Sequence, residues 1–171
     1  MISPSNQLLH TAVVTHFHDT ISRFSPPHAP GLVPPTDPPY RIGEYLVSLG
    51  YLLPRELAAA LHTWHHQPAQ PAIPLGCLLV AQELVPAPVI ATVLLLEWLD
   101  RWEHNPSLPP RALDEQLLVD AVLTPDQVAL VVQEQMVEYE HGTWTGLDNL
   151  IVRHGWRARP MPARMVEYHS H

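Results

Sequence analysis

Residues 41–64 read R-I-G-E-Y-L-V-S-L-G-Y-L-L-P-R-E-L-A-A-A-L-H-T-W, and the rest of the chain reads as altered copies of this stretch. Ile42, Tyr45, Leu46 and Leu49 recur at spacings of three and four, which predicts a short helix with one buried face. Gly50 falls where a helix C-terminus favours a residue free to adopt positive φ. After Tyr51, Leu52 and Leu53, Pro54 is placed to open a second helix at its first turn. That helix presents Leu57, Ala60, Leu61 and Trp64 at helical spacing for burial. The unit is a short helix, a glycine-stopped turn and a longer helix.

The pattern returns along the chain. Residues 74–80, P-L-G-C-L-L-V, match residues 41–47, and Leu84, Val85, Ile90, Val93 and Leu94 match the second half. A third copy starts at Ala112 and carries Leu113, Leu117, Leu118, Val122, Leu123, Pro125 and Val128, closing on Gln135. A fourth runs from Gly146 to Val152, with His154 and Gly155 standing where Leu49 and Gly50 stand in the first. Repetition on this length scale predicts units that bury faces against one another. The expected fold is all-α. Tandem short-helix, turn and long-helix repeats form two small paired-repeat units, 41–104 and 105–171, preceded by an N-terminal amphipathic helix (1–24) on a Pro-rich linker (25–40).

Two successive copies of the pattern R-L-G-x-x-L-V-x-x-G, each followed by a Leu-rich helix, resemble the MshEN-type domain. That domain is the N-terminal region of type II secretion and type IV pilus assembly ATPases of bacteria, and part of the family binds cyclic di-GMP. The resemblance covers roughly residues 41 to 97, with a more diverged unit from 112 to about 168. It implies one half-site from Arg41, Ile42, Gly43, Leu46, Val47 and Gly50 and another from Leu75, Gly76, Leu79 and Val80. In the family, the apolar and glycine positions pack close to the dinucleotide, and the motif Arg and Gln contact its guanines. This chain has Pro74 in place of the second Arg, Glu83 in place of the later Gly, and Trp64 where the first motif usually ends in Gln. In the third copy, Ala112 stands for Arg41 and Asp114 for Gly43, so residues 112–168 are expected to bind no cyclic dinucleotide.

Composition narrows the function. The chain has 171 residues, 46% of them hydrophobic, enough for one domain or two small ones. Its formal charge of −8 argues against unaided binding to nucleic acid or to an acidic membrane. All 9 basic residues are Arg. The lack of Lys excludes a Walker-type phosphate loop, a Schiff-base lysine and a kinase-type lysine, so no ATPase engine accompanies the resemblance. Cys77 stands alone and is expected as a buried thiol. No secretory leader pattern and no membrane-length apolar run is present, so a cytoplasmic protein is expected.

Outside the repeats, Leu9, Val13, Phe17, Ile21 and Phe24 form an amphipathic stripe. The proline-rich stretch to Pro39 favours a semi-rigid spacer. The helix either folds back onto the repeat body or docks on a partner. His16, Phe17, His18 and Asp19 look like the start of a metallohydrolase zinc motif, but no Asp-His pair follows, and the two histidines point to different faces of a helix. His62, His65 and His66 share one side of a helix end, an arrangement seen in zinc sites and in exposed helix termini alike. Pro68, Pro71 and Pro74 make a stiff link, and Trp98 and Trp102 are expected to pack between the units. Thr124-Pro125-Asp126-Gln127 is a helix start with a capping box. Four of the nine Arg residues lie from Arg153 onward, a solvated tail or a docking patch for an acidic partner.

No acid–base or nucleophilic constellation emerges. Two functions are expected from this pattern. One is a non-enzymatic adaptor with a protein partner and no required cofactor. The other is an effector that binds cyclic di-GMP between the first two repeats.

Overall fold

The computed structural model describes residues 4–31, 41–67, 74–107, 109–110 and 113–156. Among them are eight helices and no strand. They are α1 (Pro4–Arg23), α2 (Ile42–Leu49), α3 (Pro54–His65), α4 (Leu75–Ala81), α5 (Ala87–His104), α6 (Leu113–Val119), α7 (Pro125–Glu140) and α8 (Leu147–Arg153). The all-α expectation holds. Residues 32–40, the 68–73 link with Pro68 and Pro71, Ala112, and the basic tail from Arg157 lie outside the described residues.

The short helices α2, α4, α6 and α8 end alike. Gly50, Glu83, Ala121 and Gly155 take φ of 85°, 56°, 54° and 72°, the left-handed conformation that turns a helix end back on itself. In each case the next amide returns to a carbonyl of the last turn: Tyr51 to Leu46 (2.8 Å), Leu84 to Leu79 (3.0 Å), Val122 to Leu117 (2.9 Å) and Trp156 to Ile151 (3.2 Å). The four accepting residues are all buried, so the turn and the core-facing side chain are set by one register. After the first three turns, Pro54, Ala87 and Pro125 open the longer helices α3, α5 and α7. Thr124 caps α7, accepting from Gln127 N at 3.3 Å while Gln127 Oε1 accepts from Thr124 N at 2.9 Å. Glu44 and Glu56 make the second of these bonds on α2 and α3, reaching back to Arg41 N (2.7 Å) and Leu53 N (2.8 Å).

One apolar cluster runs from Val13 to Ile151, across the polar stretch between Asn105 and Pro110 where the sequence places a boundary. α5 is its axis, and it packs against α1, α2, α4 and α7. Trp98 and Trp102 on α5 stack in parallel, with ring centroids 5.8 Å apart. α3 is less buried than its pattern predicts: Ala60 is covered, while Leu57, Leu61 and Trp64 are half-buried.

The N-terminal helix folds back. α1 lies on α5 and α7, with Val13 fully buried and Leu9 and Phe24 packed on the cluster. The chain after it then crosses the end of α2. His28 N donates to Gly50 O and Gly31 N to Val47 O, both at 3.0 Å, and the Tyr51 hydroxyl donates to Phe24 O.

Candidate functional site

Of the ten motif residues, only Arg41 is exposed. Leu46 and Leu79 have no exposed surface, Val47, Val80, Gly43, Gly50 and Gly76 are buried, and Ile42 and Leu75 are half-buried. The two glycines that begin the motifs make room for protein. A Cβ on Gly43 would lie 2.6 Å from Leu57 Cδ1 of α3, and one on Gly76 would lie 2.8 Å from Ile90 Cγ2 of α5. Each lets a short helix sit tightly on the long helix that follows it. The two motifs adjoin, since the Cβ position of Gly76 is 3.9 Å from Ile42 Cδ1. Gly50 is covered by the backbone of His28 and Ala29. Arg41 stands just ahead of α2 with its amide held by Glu44, and Tyr45 on the same helix donates its hydroxyl to Asp100.

Two polar groupings were not evident in the sequence. In the first, His16 Nδ1 meets Asp126 Oδ1 at 2.5 Å and Nε2 meets Thr92 Oγ1 at 3.0 Å, joining α1, α7 and α5. Carboxylate, imidazole and hydroxyl in that order form the arrangement that activates a nucleophile. Here the Thr92 hydroxyl is buried, donates its hydrogen to Pro88 O at 2.8 Å, and lies 3.0 Å from Thr20 Oγ1. A substrate has no approach to that oxygen, so the trio works as a clasp on α1. His16 is half-buried and His18 exposed, on different faces as the helical spacing requires. The partners of His16 lie 76 and 110 residues away, a separation that no local pattern encodes.

The second grouping lines a cleft of about 160 Å³ between α5, α6 and α7, walled by Leu94, Leu95, Trp98 and Leu118, with Glu97, Asp114 and Glu115 beside them. Burial pushes the Asp114 carboxyl above its usual range, against the lowering pull of the Glu115 amide that it accepts at 3.0 Å. Arg101, itself buried, pairs with Glu115.

Cys77 is buried, and desolvation pushes its thiol up to about 11, far from a reactive thiolate. His62, His65 and His66 are exposed, and the rings of His62 and His66 lie 4.2 Å apart. Among the described residues, no group of three His, Cys, Asp or Glu side chains is gathered closely enough to hold a metal. No helix of the described residues is long and apolar enough to cross a membrane. Comparison with protein-family profiles, with curated proteins and with solved structures finds no match to this chain.

Proposed function

We propose that the chain is a non-enzymatic adaptor, with its repeats as scaffold and its surfaces as docking elements, linked by resemblance to type IV pilus or type II secretion machinery. The observation that carries this reading is the use of the motif itself. Gly43, Leu46, Gly76 and Leu79 are occupied by contacts within the chain, with Leu57 and Ile90 in the space beside the glycines. Leu130 and Val137, seven apart on one face of α7, are exposed, as are Trp144 and Val152, and they give a partner apolar surface to cover.

One observation favours the second reading, a cyclic di-GMP effector: Ile42 and Gly76 bring the two half-motifs side by side. The charge balance opposes it. A micromolar dissociation constant needs about 8 kcal/mol, and Arg41 is the one motif cation offered to a dianion. Calorimetric titration of the wild type, Arg41→Ala and Pro74→Arg with cyclic di-GMP separates the readings. The adaptor reading predicts no binding heat from any of the three while circular dichroism shows each folded. Saturable binding that Arg41→Ala weakens about tenfold or more, in line with ~1.5–3 kcal/mol for a charge-assisted hydrogen bond, would replace it with the effector.

A further inference from the structure

The ends of α2 and α8 are the same turn in two different states. Gly50 and Gly155 share the left-handed backbone, and each donates to the carbonyl three residues back, Val47 O at 3.1 Å and Val152 O at 2.9 Å. Leu46 and Ile151, which close the two turns, are both buried. The surroundings then diverge. Val47 is 5% exposed and Val152 is 73% exposed. Gly50 is buried under His28 and Ala29, whereas nothing among the described residues lies within 4 Å of a Cβ on Gly155.

The cover on the first turn is residues 24–31, F-S-P-P-H-A-P-G, an irregular proline-rich segment. It gives two backbone N–H groups, from His28 and Gly31, to Gly50 O and Val47 O, and it rests on Tyr51 through Phe24 O. The corresponding atoms at the end of α8 are Gly155 O and Val152 O, and the aromatic at the Tyr51 position is Trp156, stacked on His154 with centroids 4.5 Å apart. An exposed apolar side chain, two carbonyl acceptors and an indole beside them suit a proline-containing segment of the same kind, which binds at low entropic cost because its prolines already restrict the backbone.

We infer that the α8 turn, built from Val152, Gly155 and Trp156, is a docking site for an irregular proline-rich segment of a partner polypeptide. Such a segment binds there as residues 24–31 bind the α2 turn. The inference rests on the adaptor reading and names the class of partner for one of its surfaces. Its failure leaves that reading to be judged by the cyclic di-GMP titration.

The test is a titration of the full-length protein with a synthetic peptide of residues 24–31, followed by the Gly155 amide and Trp156 indole resonances. The expected result is saturable shifts at both groups at peptide concentrations up to about 1 mM, the range of a weak docking interaction. Val152→Glu, a change at a solvent-exposed side chain, is expected to weaken binding at least tenfold. Replacing the three prolines of the peptide by alanine is expected to weaken it as well. No shift at these groups, or shifts that Val152→Glu leaves unchanged, would overturn the proposal. Binding seen only after residues 157–171 are removed would assign the site to the chain's own tail and overturn it too.

Discussion

Ala121 and Glu83 hold the left-handed backbone that Gly50 and Gly155 hold in the equivalent turns, but with a Cβ to accommodate. For an L-residue that conformation costs about 1–2 kcal/mol, partly offset because glycine loses about 0.5–1 kcal/mol more on folding. Ala121→Gly is therefore expected to stabilise the protein by about 0.5–1 kcal/mol, read as a higher denaturation midpoint in urea with unchanged slope. Asp114 occupies the register position of Gly43 and Gly76. Its carboxyl is raised by burial, so the folded state holds the proton more tightly than the unfolded chain does. Stability from this group is complete below the unfolded value of about 3.9 and is lost as pH rises through the higher folded value. Asp114→Asn keeps an oxygen for the Glu115 amide and removes the charge. It should raise the melting temperature at pH 7 and leave it nearly unchanged near pH 3.5, and equal shifts at both pH values would refute the assignment.

At the scale of elements, α1 is part of the core and is fastened through His16 to Asp126 and Thr92. Removing residues 1–39 uncovers the surface beneath Val13, Leu9 and Phe24, and burial of a large apolar side chain stabilises by roughly 1.5–3 kcal/mol. The expected outcome is a melting temperature lower by about 10 °C, since 1 kcal/mol is worth about 2–4 °C at this size. An unchanged midpoint would show α1 to be a separate docking helix. The helices were legible in the sequence because period, Gly50, Pro54 and the Thr124–Gln127 box are local signals. The sequence leaves the placement of α1 open because the stripe from Leu9 to Phe24 says only that one face must be covered. In the sequence alone His16 resembles a fragment of a metal motif, because its partners arrive from α5 and α7. The candidate site was legible as a set of residues and not as a use: glycine that admits a ligand and glycine that admits Leu57 or Ile90 read alike in one dimension. Cover on Val47 and exposure of Val152 likewise depend on where residues 24–31 run, which proline content alone does not fix.

Across the whole molecule, α1 and the helices that follow it form one core around α5 and α7, presenting their surfaces as a single body. Shared burial of this kind makes the halves unfold together, whereas two separately cored units would open one at a time. The most direct measurement is native-state amide hydrogen exchange in rising urea, comparing α5 with α7. A single core predicts that the slowest amides of the two helices converge on one opening free energy and one urea dependence, that of global unfolding. Exchange of α7 through a distinct opening of lower free energy and smaller urea dependence, with α5 still protected, would contradict it.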